Sequence, residues 1–228
     1  FVIAPQEFFT PRFPLRHAAL AAACLAASGA FAQTSVTVAQ PADIRSTNPG
    51  VNRDNTTDGV VLNIVEGLVG YRMDGSVGPL LAQSVDVSAD GLTYTFKLRK
   101  GVKFHNDAPL TSADVAWNWK RYMDPKTDWR CTSEYDGRNG LKVVETATPD
   151  AGTFVMKINK PSAVFLDTLA RTDCGMTAIL HKSSLKADGS WDKPVGTGPF
   201  KFGEWKRGEY VTLTAFKGYT STPGATKS

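Results

Sequence analysis

Asp90-Gly91-Leu92-Thr93-Tyr94-Thr95-Phe96-Lys97-Leu98-Arg99-Lys100-Gly101-Val102-Lys103-Phe104-His105 decides the fold, together with its continuation Pro109-Leu110-Thr111-Ser112-Ala113-Asp114-Val115. Asp90-Gly91 is a hairpin-type turn signal, because glycine reaches backbone angles that tight turns need. From Thr93 onward the chain alternates: Tyr94, Phe96 and Leu98 share one face, while Thr93, Thr95 and Lys97 share the other. A period of two marks a half-buried strand. The period then changes. Thr111-Ser112-Ala113-Asp114 is a capping-box-like helix start, with an acidic group suited to the positive helix end. Val115, Trp119 and Tyr122 line one side of that helix, which stops before Pro125. Trp117 and Trp119 cannot both face that side, so core packing claims one of them more readily than the other.

Working outward, Ser84 to Val87 reads as a strand before the Asp90-Gly91 turn, and Asp74-Gly75 marks a similar turn upstream. Downstream, Lys142 to Glu145 and Thr153 to Ile158 are strands joined across Pro149-Asp150-Ala151-Gly152. Pro161 opens a short apolar helix through Ala170, as proline favours a first turn. Phe200 to Trp205 and Tyr210 to Phe216 make a closing hairpin, turning at Arg207-Gly208. Toward the other end, Val60, Val61, Ile64, Val65 and Leu68 fall at helical spacing and predict a helix over about Thr57 to Glu66. Before it come a loop from Pro41 to Asn55 and an alternating segment, Ser35 to Ala39, expected to be a first strand. Helices and strands are interspersed without a regular βαβ rhythm, so the fold class is mixed α/β.

The first 32 residues differ from the rest. Arg12 and Arg16 precede an apolar run, Ala18 to Ala27, and then Ser28-Gly29-Ala30-Phe31-Ala32. Basic flank, short apolar core and small-x-small site read as a signal peptide over 1–32, cleaved after Ala32. The run is shorter than the roughly 20 apolar residues a membrane-spanning helix needs. Lipid attachment at Cys24 is the less favoured alternative, since little apolar sequence precedes it. Export implies a periplasmic location and an oxidising compartment. Cys131 and Cys174 are the cysteines left after cleavage, so a Cys131–Cys174 disulfide is expected, worth about 4 kcal/mol by loop closure.

Across the 228 residues, 26 Lys+Arg stand against 22 Asp+Glu, for a net charge of +4. No block of like charges occurs, so a nucleic-acid partner is not expected. Gly196-Thr197-Gly198-Pro199 lacks the third glycine of a dinucleotide loop, because that position is Lys201, and a strand follows it. His105, His181, Cys131 and Cys174 match no compact metal-ligand spacing, so no metal and no cofactor are expected. No Gly-x-Ser-x-Gly elbow supports a nucleophile. An exported hydrolase therefore stays only as the alternative to a binding protein.

Three segments in register then resemble a known family. They are Glu66-Gly67-Leu68-Val69 with Asp74-Gly75 and Pro79-Leu80-Leu81-Ala82; the stretch from Asp90 through Val115; and Pro194-Val195-Gly196-Thr197-Gly198-Pro199-Phe200-Lys201-Phe202 with Trp205. Together they resemble the bacterial extracellular solute-binding proteins of the dipeptide, oligopeptide and nickel type. The resemblance implies a type II periplasmic binding protein-like fold, in which lobes close over a solute as on a hinge. It implies a receptor that hands peptides or similar small solutes to the membrane permease of an ABC importer, acts as a monomer, and has no catalytic residues. A chaperone or sensor built on the same fold is a further alternative.

Lobe one is expected at 33–66 and 175–228, with a smaller α+β domain inserted at 67–174. Family members are more than twice this length, so the chain is expected to be an amino-terminal fragment whose second lobe is missing. The anchors of peptide-binding members lie in that part, which leaves the solute open. The expected ligand-binding residues are Asn48 and Thr57 on the hinge side, Arg171 and Asp173 at a strand-to-loop corner, and Tyr135 and Asp136 in a polar loop.

Overall fold

The computed structural model describes residues 35–52 and 54–220. The expected signal peptide over 1–32 lies outside them. Residues 35–39 carry no strand: Val36 and Val38 are 83% and 69% exposed. Among the described residues no strand pairs with this segment, so the expected first strand is not formed.

Helix α1, Asn55–Val61, begins where the Asp54 carboxylate accepts from the Thr57 amide at 2.7 Å. It is shorter than the expected span to Glu66. Ile64 and Val65 are fully buried, as their spacing predicted, but they reach the core from a turn. The reason lies in backbone contacts made at this point, described below.

Strands β1 (Val69–Tyr71) and β2 (Val77–Pro79) pair antiparallel around Asp74-Gly75. The main sheet is antiparallel, in the order β3-β4-β6-β5, from β3 (Ala82–Val87), β4 (Thr93–Leu98), β5 (Val143–Asp150) and β6 (Thr153–Ile158). In β4, Tyr94, Phe96 and Leu98 are buried, as the period-two reading requires. Their neighbours on β6, paired Tyr94 to Met156 and Phe96 to Phe154, are buried on the same face. Each such side chain removed from water contributes about 1.5–3 kcal/mol. Strand β5 is outermost and exposed along nearly its whole length.

Helix α2, Ser112–Met123, lays Val115, Trp119 and Tyr122 into this core. The Asp114 carboxylate takes the Thr111 amide at 2.9 Å and its hydroxyl at 2.7 Å, closing the first turn. Trp117 stays half-buried against a second apolar group formed by Val61, Ile64, Val65, Ala178 and Leu180. Helix α3, Phe165–Ala170, starts later than Pro161 and buries Phe165, Leu169 and Ala170. The chain closes on the expected hairpin, β7 (Phe200–Lys206) with β8 (Tyr210–Ala215). Among the described residues, no helix is long and apolar enough to cross a membrane.

Candidate functional site

Two buried polar centres lie between these elements. The first is a junction of the three sequence segments singled out above. The His105 amide donates to the Gly196 carbonyl at 2.9 Å, its Nε2 donates to the Gly198 carbonyl at 3.0 Å, and the Gly198 amide donates to the Ile64 carbonyl at 3.0 Å. Glycine is required here for space. A Cβ on Gly196 would sit 2.2 Å from the Ile64 oxygen, and one on Gly198 would sit 2.7 Å from the Ile64 carbonyl carbon. This close passage is what draws residues 63–65 out of the helix that their spacing predicted.

Beside it, Glu66 is buried, with the Tyr219 hydroxyl 3.3 Å from its Oε1 and the Arg99 guanidinium 4.0 Å away. Burial pushes its carboxyl above the ordinary 4.5, with the neighbouring Thr197 and Arg99 pulling the other way. Lys201 Nζ donates to the His105 carbonyl at 2.6 Å and lies 4.7 Å over the Phe216 ring, which meets the His105 ring edge-on. Burial pushes His105 below 6.5, the Gly198 hydrogen bond opposing and Lys201 adding to the fall.

These two groups act with opposite sign. Neutral His105 contributes stability that is present above 6.5 and lost as pH falls through its lowered folded value. Protonated Glu66 contributes stability that is present below 4.5 and lost as pH rises through its raised value. His105→Gln keeps a donor for Gly198 and removes the titration. Its urea midpoint is therefore expected to fall less than that of the parent chain as pH drops below 6.5. Equal falls in both proteins would contradict this.

The second centre is a seam where Gly50, Asn52 and Asp58 meet residues 129–134 and 171–177, and of the expected ligand-binding residues it holds Arg171 and Asp173. Gly50 turns at φ +70, and a Cβ there would meet Trp129 Nε1 at 2.4 Å and the Cys174 oxygen at 2.5 Å. Trp129 Nε1 donates to that same Cys174 carbonyl at 3.0 Å. Cys131 and Cys174 are joined by a disulfide, with their Cα atoms 5.7 Å apart.

Arg130 donates to the Asn52 carbonyl and pairs with Asp58 at 3.4 Å. Burial still raises the Asp58 carboxyl, Arg130 working against it and the charges of Asp54 and Asp173 adding to the rise. Arg171 binds both oxygens of Asp173, at 3.0 and 2.9 Å, and reaches Glu134 at 3.2 Å. The hydrogen bonds it donates to Asp173 do most to raise its guanidinium, and the charges of Asp173 and Glu134 add to them. Residues 175–177 all have positive φ, of 65°, 54° and 46°. For Met176 and Thr177 such a conformation costs about 1–3 kcal/mol each, and only over-determining surroundings sustain it.

Of the expected residues, Asn48 accepts from Arg121 Nη2 at 2.6 Å, and the Arg121 guanidinium also stacks 5.4 Å from the Trp191 ring. Thr57 is buried, its hydroxyl accepting from the Arg45 amide at 2.9 Å. Arg171 and Asp173 stand together at the seam, partly open to solvent. Tyr135 and Asp136 part company. Tyr135 is 1% exposed, between Trp129 (5.6 Å, stacked) and Trp119 (5.2 Å, edge-on), and burial raises its phenol above the usual value. Its ring occupies the core, so the polar loop expected from sequence does not carry it outward. Asp136 turns back to Arg138 at 2.6 Å, and the Arg138 amide leads in holding its carboxyl low.

Sequence reasoning missed Asp58, Arg121, Arg130 and Glu134. Their partners lie far away along the chain, and nothing local marks them. Among the described residues, Cys131, Asp173 and Cys174 bring metal-ligating atoms within 4.8 Å of one another. The sulfurs are bonded to each other, however, so they are not thiolate ligands. The charged groups of the seam pair with one another, Arg130 with Asp58 and Arg171 with Asp173 and Glu134.

Residues 76–227 match bacterial extracellular solute-binding proteins, family 5 Middle. The glutathione-binding protein GsiB of Escherichia coli is 31% identical over 208 residues, which cover 90% of this chain and 39% of that protein. Among solved structures, AgaA of A. tumefaciens in complex with agropinic acid is similar at a TM-score of 0.71 and 33% identity, covering 80% of this chain and 36% of that one. The periplasmic binding protein DppA of Helicobacter pylori, in complex with the peptide STSA, is similar at 0.69 and 30%, covering 79% and 39%. The chain thus spans about two fifths of the length of the relatives it matches. Its fold is that of part of a type II periplasmic binding protein. From the matched residues, the three motif segments and this fold, the chain belongs to the bacterial extracellular solute-binding proteins of family 5.

Proposed function

We propose that the chain is part of a periplasmic receptor that captures a peptide or similar small solute and delivers it to the membrane permease of an ABC importer. The observation that carries this reading is the family match over residues 76–227. In this reading, residues 33–66 and 175–228 form lobe one and 67–174 the inserted domain. Val61, Ile64, Val65, Ala178 and Leu180, all of the proposed lobe one, form a buried apolar group of their own, which supports it, while Ile179 and Val195 join the group around the main sheet. The seam is its half of the binding site, with Arg171, Asp173, Asn48 and the end of α1 near Thr57 bordering the solute and Asp136 at the margin. The protein binds without bond-breaking chemistry and works as a monomer.

The test uses protein expressed from its native gene, exported and purified. Intrinsic tryptophan fluorescence is followed while mixed dipeptides, a tetrapeptide and glutathione are titrated, and the solutes are recovered afterwards for chromatography. Saturable fluorescence change with unaltered solute is the expected result. Consumption of the solute supports the hydrolase alternative, and the absence of any saturable response to all three overturns the receptor reading.

A further inference from the structure

We propose that the Cys131–Cys174 disulfide is a positioning element of the seam, which holds Glu134 against Arg171 and pins the left-handed backbone of residues 175–177, and that, contrary to the value loop closure assigns to its span, it is not a general prop for the fold. The purpose of such an element rests on reading the seam as a ligand half-site, but its existence does not, and the test below uses no ligand.

The bond joins two segments that carry charges and lack sheet or long-helix support. Cys131 immediately precedes the single 3-10 turn Thr132–Glu134, whose last residue is the Glu134 that meets Arg171. Cys174 lies inside the 3-10 segment Thr172–Thr177, next to Asp173 and one residue before the run of positive φ. Both cysteines are buried, at 2% and 0% exposure.

Without the bond, Tyr135 still lies beside Thr177, and two further polar contacts join these segments. The Trp129 indole still reaches the Cys174 carbonyl at 3.0 Å, and Arg171 still reaches Glu134 at 3.2 Å. The second of these is an ion pair whose side chains are 35% and 31% exposed, a setting in which a pair gains little beyond what holding two long side chains costs. It forms readily only if something else sets the distance. Met176 and Thr177 in turn sit in a conformation that L-residues leave when released. The main sheet lies in the same buried group as the two cysteines but has more to hold it. Its face is closed by Phe96, Phe154, Met156 and Ile158, with α2 and α3 packed over it.

Amide hydrogen exchange on the whole chain distinguishes the two roles. A chain with C131A and C174A is compared with the disulfide-bonded parent. The parent is also treated with a dithiol, which converts the bond to two thiols and closes its own disulfide. The amides of Met176 and Ala178, which donate to Arg171 and Gly175 at 2.9 and 3.1 Å, are expected to exchange about tenfold faster or more once the bond is gone. Those of Phe96 and Phe154 in the sheet are expected to stay unchanged. Acceleration of both sets alike would mean the bond holds the fold, and acceleration of neither would mean it holds nothing; either result overturns the proposal.

A second readout follows the ion pair itself. Glu134→Gln and Arg171→Met, singly and together, are compared in urea unfolding. In the bonded chain their coupling should be about two- to fivefold in the unfolding equilibrium constant, and it should vanish in the chain with C131A and C174A. Equal coupling in both would overturn the positioning role.

Discussion

Gly196→Ala is expected to leave the chain without a folded state. The added methyl would sit 2.2 Å from the Ile64 carbonyl oxygen and 3.1 Å from the Val65 Cα, and both are backbone atoms that no rotamer change can move aside. Relief would require breaking the hydrogen bonds from His105 to Gly196 and from Gly198 to Ile64, which hold the junction closed. A loss of more than about 4 kcal/mol follows, at the extreme of what single substitutions do. Domains of this kind have only about 5–15 kcal/mol to lose. Circular dichroism and urea unfolding measure it, with Gly189→Ala as the control. Gly189, unlike Gly196, has a positive φ, of 81°, and nothing lies within 4 Å of a Cβ there. The control should therefore show only the cost of a left-handed alanine, about 1–2 kcal/mol. Equal effects at the two positions would refute the steric account.

The second large effect is expected at Tyr135. Tyr135→Ala opens a cavity among Trp119, Trp129 and Phe165, whose ring centroids lie 5.2, 5.6 and 6.2 Å away. Truncating a buried aromatic of this size costs about 3–5 kcal/mol, since neighbours collapse only partly into the space. Tyr135→Phe keeps the ring and is expected to change stability by no more than about 1 kcal/mol. The same pair of variants separates packing from recognition. If the phenol belongs to the core, Tyr135→Phe leaves solute affinity as it was. If affinity falls while stability holds, Tyr135 reaches the solute after all.

Much of the scaffold is legible in the sequence because its causes are local. The alternation of Tyr94, Phe96 and Leu98 decides which face of β4 is buried, and the turn residues on either side decide where the strand stops. Likewise, Asp114 and Pro125 bound a helix whose apolar side was already evident. Helix α1 shows where that reasoning ends. Val60, Val61, Ile64 and Val65 have helical spacing and are buried, yet the helix stops at Val61. What stops it is the approach of Gly196 and Gly198, more than 130 residues away, and no window around α1 contains that information.

The seam is less legible still. Arg121 meets Asn48 across 73 residues, and Arg130 meets Asp58 across 72. A lone arginine in a sequence carries no mark of its partner. Arg171 and Asp173 were visible as a polar corner because they are two residues apart, and Tyr135 was misplaced because a tyrosine beside an aspartate reads as polar whichever way its ring points. The segment from Ser35 to Ala39 fails for the opposite reason: a good strand pattern makes no strand when nothing pairs with it.

The position of β5 at the rim of the sheet has a consequence for how copies of this molecule meet. A rim strand offers a row of unsatisfied amides and carbonyls, which in many proteins seeds fibrous association. Here Pro149 has no amide hydrogen to give, Glu145 meets an incoming strand with a carboxylate, and both ends of the strand are engaged, Val143 donating to the Tyr135 carbonyl and the Asp150 carbonyl accepting from Ser112. Little of this rim is therefore left for the strand of a neighbouring copy to pair with.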